Sequence, residues 1–124
     1  MGSTVTRHVG RGLWHQLVIA GNGNRWHPAG VGAWLKRIGI FNQRSHDKHL
    51  PAEVFALAND RIALLLRHLW ATDGCIHVRD TGRGSNRVYF STCSARLAED
   101  VAALLMRFGI IGRVRAVAQG RSRP

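Results

Sequence analysis

Between Asn59 and Thr72 the apolar positions Ile62, Leu65, Leu66 and Leu69 recur at i, i+3, i+4 and i+7, the stripe of an amphipathic helix. Asn59 or Asp60 can cap a helix beginning at Arg61. Ala63, Leu64 and Trp70 widen the stripe, so this helix is expected to be buried nearly all round. The period then changes from helical to two. Cys75 to Asp80 and Arg87 to Thr92 alternate as strands, joined by the flexible run Thr81-Gly82-Arg83-Gly84-Ser85-Asn86, which predicts a hairpin. Alternation puts His77, Arg79, Arg87, Tyr89 and Ser91 on one face and Ile76, Val78, Val88 and Phe90 on the other. Ser94 then caps a helix with Leu97, Val101, Leu104, Leu105 and Phe108 inward. Glu99 and Asp100 fall in its early turns, where the helix dipole favours acids. A third strand is expected from Ile110 to about Ala118, with Arg113 and Arg115 on one face.

The chain also resembles itself. Trp34-Leu35-Lys36-Arg37-Ile38-Gly39-Ile40-Phe41 matches Leu104-Leu105-Met106-Arg107-Phe108-Gly109-Ile110-Ile111 at an offset of 70 residues. Each run ends a helix at a glycine and continues into apolar residues. A strand-like stretch precedes each helix: Leu17-Val18-Ile19 before the first and Val88-Tyr89-Phe90 before the second. Two coincidentally similar helix stops remain the alternative, since glycine after a helix is common.

Composition sets the partner class. The 124 residues make one small domain or a piece of a larger one. No apolar run unbroken by glycine exceeds Val101 to Met106, far short of the roughly 20 residues of a membrane span. We therefore expect a cytoplasmic, nucleoid-associated protein with no membrane partner. Cys75 and Cys93 lack the spacing of a disulfide framework or a zinc site. Eighteen Lys and Arg against seven Asp and Glu give a net charge of +11, which points to a polyanion, nucleic acid by default. Sixteen of the eighteen are Arg, whose planar fork suits phosphate oxygens and guanine edges. The sheet face carrying His77, Arg79, Arg87, Tyr89 and Ser91, the loop residue Arg83, and Arg113 and Arg115 beyond are accordingly the expected DNA-binding residues.

Asp73 is electrostatically misplaced. It closes an apolar helix, where the macrodipole disfavours a carboxylate by a few tenths to about 1 kcal/mol. A cation would reverse that sign. Gly74 would let the backbone turn, and the unpaired carbonyls of a helix end could help hold a hard divalent ion such as Mg²⁺. An Asp-Gly pair is also an ordinary turn signal. His46 and His49 flank Asp47 as H-x-x-H, but no further ligands stand at metal spacing, so they read as a basic loop.

Leu66-Arg67-His68-Leu69-Trp70-Ala71-Thr72-Asp73-Gly74 resembles the LAGLIDADG motif of homing endonucleases. The surrounding chain resembles the dodecapeptide-type (DOD) endonuclease region of inteins in replicative DNA helicases. Lys48-His49-Leu50-Pro51 looks like that family's short lysine-to-proline block, and Ser94 to Ile110 is similar to the block after its second motif. The resemblance runs from about Trp14 to Val117.

It implies an α+β fold in which an antiparallel β-sheet saddle packs on helices: residues 13–58 the end of one repeat, residues 59–124 most of the next. It implies site-specific double-strand DNA cleavage by phosphodiester hydrolysis with Mg²⁺ or Mn²⁺. Asp73 and Gly74 would contact the metal, and Asp73 and Lys48 would be catalytic. The chain departs from the motif at Arg67, His68 and Ala71, where the family has two small residues and a first acid. Subtracting the offset from Asp73 leads to Ser3, so the first repeat's acid is expected to be absent. A homodimer, or a chain supplying a first motif helix, would restore the pair. A DNA- or maturase-like RNA-binding module that does not cut is the alternative function. The termini lack the residues of a self-splicing intein.

Overall fold

The computed structural model describes residues 2–12, 14–21, 23–24, 26–27, 29–79, 82 and 84–118. The expected Arg83 and the strand end at Asp80 lie outside them. The chain forms two compact units, Met1–Gln43 with Pro51–Glu53, and Arg44–Leu50 with Val54–Pro124.

In the first unit β1 (Ser3–Val9) and β2 (His15–Gly21) pair as an antiparallel hairpin. The strand expected around Leu17-Val18-Ile19 is the middle of β2, whereas β1, whose Val5 and Val9 alternate with Thr4, Thr6 and His8, was not foreseen. A short helix, α1 (Val31–Arg37), follows. Gly30 enters it with φ 58°, and Ser3 Oγ accepts the Val31 N–H at 2.9 Å, so a strand hydroxyl satisfies one orphan donor of its first turn.

A 3₁₀ turn, Ala52–Ala56, precedes α2 (Asn59–Asp73) of the second unit, which runs directly into β3 (Gly74–His77). β4 (Arg87–Phe90) pairs antiparallel with β3, and α3 (Ala95–Met106) closes the unit. The fold is thus α+β with antiparallel sheets, as expected, each sheet being a two-stranded ribbon. Leu50, Ile62, Leu66, Leu97, Val101 and Leu104 form its core, and Val54, Leu65, Leu69, Trp70, Phe90 and Leu105 pack around them. Trp70 and Phe90 tie α2 to β4 with ring centroids 5.4 Å apart.

The two units repeat one another in detail. The β1–β2 pairs Thr4↔Ala20, Val5↔Ile19, Thr6↔Val18 and Arg7↔Leu17 become, on adding 70, Gly74↔Phe90, Cys75↔Tyr89, Ile76↔Val88 and His77↔Arg87, the observed β3–β4 register. The helix ends agree equally well. Gly39 and Gly109 are left-handed (φ 78° and 72°). Their N–H groups bond to Lys36 and Met106 carbonyls, and those of Ile40 and Ile110 to Leu35 and Leu105 carbonyls, all at 3.0–3.2 Å. This is the same Schellman stop twice, and glycine serves it because it adopts positive φ without strain.

Several expectations need correction. α2 begins at Asn59 with Ala58 as its cap residue, and no side chain caps it. Asn59 Oδ1 instead accepts from the Arg107 guanidinium at 2.8 Å, while Arg107 also donates to the Phe55 carbonyl at 3.2 Å. Nor is α2 buried nearly all round: it buries only Ile62 and Leu66, and Leu64 is 46% exposed. Apolar composition alone does not bury a residue when the packing elements line one side of the helix. Phe108 is partly exposed rather than inward. The first turn of α3 holds no acid, and Asp100 works as a backbone acceptor for Leu50 at 2.8 Å. The strand expected over residues 110–118 is absent: the segment is irregular, because an alternating run becomes a strand only beside a partner edge. Arg113 and Arg115 therefore share no sheet face.

The narrow stripe on α2 makes a graded prediction. Ile62→Ala should destabilise the domain by about 2–5 kcal/mol by opening a core cavity, while Leu64→Ala should stay within about 0.5 kcal/mol. Denaturant melts of the two variants check it; equal losses would restore the helix buried on every side.

Candidate nucleic-acid interface and motif-helix end

The junction from α2 to β3 is built around Trp70. Gly74 has extended backbone (φ −94°, ψ 159°), so no sharp turn requires its glycine. Space does: a Cβ there would run into the Trp70 indole and come within 2.6 Å of the Trp70 carbonyl oxygen. The Trp70 Nε1 donor is buried without a hydrogen-bond partner among the described residues.

Three carbonyls near this helix end are engaged. Gly74 N–H bonds to the Trp70 carbonyl, Thr72 Oγ1 to the Leu69 carbonyl at 3.0 Å, and Ser91 N–H to the Asp73 carbonyl at 3.0 Å. The Asp73 carboxylate is exposed, with a long contact, 3.5 Å, from the Thr72 hydroxyl. It forms no ion pair with a described residue; the Arg61–Asp60 pair at 3.6 Å lies at the other end of the helix. Among the described residues no three His, Cys, Asp or Glu side chains gather as a metal-holding group. One carboxylate fits a Mg²⁺ position that water and a phosphate complete, since Mg²⁺ commonly takes one or two carboxylates and keeps the rest of its shell. It does not form a closed protein cage.

Lys48 reaches the same region from the irregular segment before α2. Ser91 N–H holds the Asp73 carbonyl and, three residues on, Ser94 Oγ holds the Lys48 carbonyl at 2.6 Å. Both residues are thus fastened by their backbones to the short junction between β4 and α3, and the Lys48 side chain is exposed. His46 Nδ1 lies 3.3 Å from the Cys93 carbonyl on the same junction, while His49 Nδ1 lies 3.2 Å from the Asp47 carbonyl, so the H-x-x-H pair is occupied with main chain.

The β3–β4 register brings Cys75, His77, Arg87 and Tyr89 together on one face, and Ile76, Val88 and Phe90 on the opposite one. Ser91 lies beyond β4 opposite Asp73. Arg79 lies past β3, its N–H donating to Asn86 Oδ1 at 3.2 Å across the ribbon. Of the expected DNA-binding residues, the ribbon thus groups His77, Arg87 and Tyr89, with Arg79 and Ser91 at its two ends and Arg113 and Arg115 apart. Beyond Phe90, which packs on Trp70, the apolar face stays open: Ile76 and Val88 are 67% and 64% exposed. Sequence reasoning missed Asp100 and the second bond of Ser94. A serine or aspartate near a helix start reads as a cap or a dipole partner, and nothing in the linear order links it to residue 48 or 50.

A family model described as the LAGLIDADG-like domain matches residues 60–124, 65 of the 124 residues. The chain belongs to the LAGLIDADG-like family. Its match covers the motif helix α2, the β3–β4 ribbon and α3. Replicative DNA helicase DnaB of Rhodothermus marinus is 42% identical over 125 residues, covering 96% of this chain and 13% of the relative. Replicative DNA helicase DnaB of a Synechocystis strain is 35% identical over 110 residues, covering 86% and 12%. Protein RecA of Mycobacterium tuberculosis is 32% identical over 97 residues, covering 77% and 12%. The LAGLIDADG-like chain therefore spans only about an eighth of the length of these relatives. No solved structure matches it. Among the described residues, no helix is long and apolar enough to cross a membrane.

Cross-strand pairing also sets the acidity of Tyr89. Its hydroxyl is held above the ordinary value of 10.0, first by the side-chain hydrogen bond with Cys75, then by repulsion from the Cys75 thiolate and by burial, with Arg87 pulling the other way. Because the folded value is raised, the associated stability is present below the unfolded value near 10 and is lost as pH rises through the folded one. Tyr89 is the single tyrosine of the chain, so an ultraviolet titration reads it directly. Its midpoint should lie above that of the denatured chain, and Cys75→Ala should bring the two together; an unmoved midpoint in the variant would exclude the thiol as the cause.

Proposed function

We propose that this chain is the core of a homing-type DNA endonuclease of intein origin, hydrolysing phosphodiester bonds in double-stranded DNA. The observation that carries the reading is the position of Asp73. It is an exposed carboxylate at the last turn of the motif helix, free of ion pairing with described residues, at the point where the chain enters a ribbon bearing His77, Arg87 and Tyr89. The surplus of eleven positive charges supplies attraction to the phosphate backbone. A two-stranded antiparallel ribbon has the dimensions to enter the major groove.

In this reading Asp73 holds Mg²⁺ or Mn²⁺ as one ligand, while Gly74, by lacking a side chain, keeps the motif helix tight against the ribbon. When bound, such an ion lowers the pKa of water and neutralises charge on the scissile phosphate. Lys48 adds a positive charge beside that phosphate. Arg79, Arg83, Arg87, Arg113 and Arg115 anchor the backbone or read guanine edges, and His77, Tyr89 and Ser91 add further contacts. Cleavage of both strands calls for two such carboxylates. The position equivalent to Asp73 in the first unit is Ser3, whose hydroxyl accepts the Val31 N–H. The second carboxylate is therefore assigned to another copy of this chain or to a partner with its own motif helix. We place the protein in the cytoplasm with the nucleoid, where its substrate is.

That same serine favours a second reading, in which a single chain binds DNA or RNA without cutting it. Incubation of the full chain with a random-sequence duplex library and Mg²⁺ separates the two. Cleavage is expected for the wild type and should be lost, by at least about 100-fold, in Asp73→Asn, with DNA affinity unchanged. In both, affinity should fall steeply with salt, by a slope near 0.9 per neutralised phosphate. An Asp73→Asn chain that cuts normally would remove the metal role, and affinity indifferent to salt would remove DNA binding by phosphate contact.

A further inference from the structure

Lys48 lies in an irregular segment, so neither helix nor strand fixes its place. Side chains of α3 and its cap do. Ser94 Oγ donates to the Lys48 carbonyl at 2.6 Å while accepting the Leu97 N–H at 3.1 Å. Two residues along, Asp100 Oδ2 accepts the Leu50 N–H at 2.8 Å, and the Leu50 side chain is inserted in the core. Ser94 is 1% exposed, and its own N–H is bonded to Thr92 Oγ1 at 3.1 Å. A buried hydroxyl that donates along one direction and accepts along another has no rotational freedom left. The backbone of 48–50 is therefore gripped on two sides, while the Lys48 amine extends from it into solvent.

We propose that Ser94 and Asp100 are positioning residues for Lys48, holding its backbone so that the amine meets the scissile phosphate beside Asp73. The proposal rests on the endonuclease reading above. An ungripped loop would spread the amine over many placements, and a misplacement of about 1 Å costs on the order of 100-fold in rate. Helix capping alone gives Ser94 no need to reach residue 48, and Asp100 lies beyond the first turn, where the dipole no longer explains an acid.

The test is a cycle of variants of the full chain, measured as first-order cleavage of the random duplex library in Mg²⁺ at enzyme excess. Lys48→Ala, Ser94→Ala and Asp100→Ala should each slow cleavage about 10- to 100-fold with DNA affinity unchanged. Ser94→Thr, which keeps the hydroxyl, should recover most of the rate. Combining Ser94→Ala or Asp100→Ala with Lys48→Ala should cut no more slowly than Lys48→Ala alone, since there is then no amine to position. A double variant that loses the product of the two single effects overturns the positioning role and leaves Lys48 standing. A Lys48→Ala chain as fast as wild type, or a wild type that leaves the library intact, overturns the endonuclease reading itself and the proposal with it. Should circular dichroism find Ser94→Ala unfolded, Asp100→Ala carries the same comparison with the cap of α3 intact.

Discussion

The hydroxyl of Ser94 is the constraint on which the second unit depends. It is buried and engaged in two directions at once, as cap to the first turn of α3 and as donor to the carbonyl of Lys48. Leaving either group unpaired in that setting would cost about 1–3 kcal/mol, and both are relieved by one atom. Through it the register of α3 against the core is coupled to the path of segment 44–50, and Asp100 repeats the coupling two residues further on. The backbone bond from Ser91 to Asp73 ties the end of the motif helix to the same junction. Three residues far apart in the chain, 48, 73 and 94, are thus organised by one short connection between a strand and a helix.

The repeated architecture keeps some features constant and varies others. Strand register and helix-stop geometry agree residue for residue at an offset of 70, because a slipped register would send every side chain to the opposite face. Side-chain character does not agree. The face that holds Cys75, His77, Arg87 and Tyr89 in the second ribbon corresponds to Val5, Arg7, Leu17 and Ile19 in the first, so a polar face has a counterpart that is apolar except for Arg7. Backbone hydrogen bonding tolerates that exchange, whereas phosphate recognition does not. The two ribbons are therefore one structural element with different surface chemistry.

At Asp73 the surroundings of the helix end decide the electrostatics. An acid at the C-terminal end of an apolar helix looks costly, yet the helix is open on most of its circumference and Asp73 is exposed, so solvent screens much of that cost. The interest of the site moves from an unfavourable dipole to an available carboxylate. Gly74 changes meaning in the same way: it admits the Trp70 ring, and the extended backbone there is one that any residue adopts.

The sequence by itself determined the helices at α2 and α3, the hairpin between them with the residues on each face, the two glycine stops and the basic character of the chain. These follow from interactions within a few residues, from alternation along a strand, or from net charge. The family was legible for the same reason, since its motif is one contiguous helix end. Which apolar residues of α2 are buried, whether residues 110–118 find a strand partner, and what Asn59, Ser94 and Asp100 bond to were decided only by tertiary structure. Each of those outcomes depends on a group some 40 to 50 residues away, or on a neighbouring edge that local pattern does not encode, and a buried donor or acceptor takes whichever partner the packed core brings within reach.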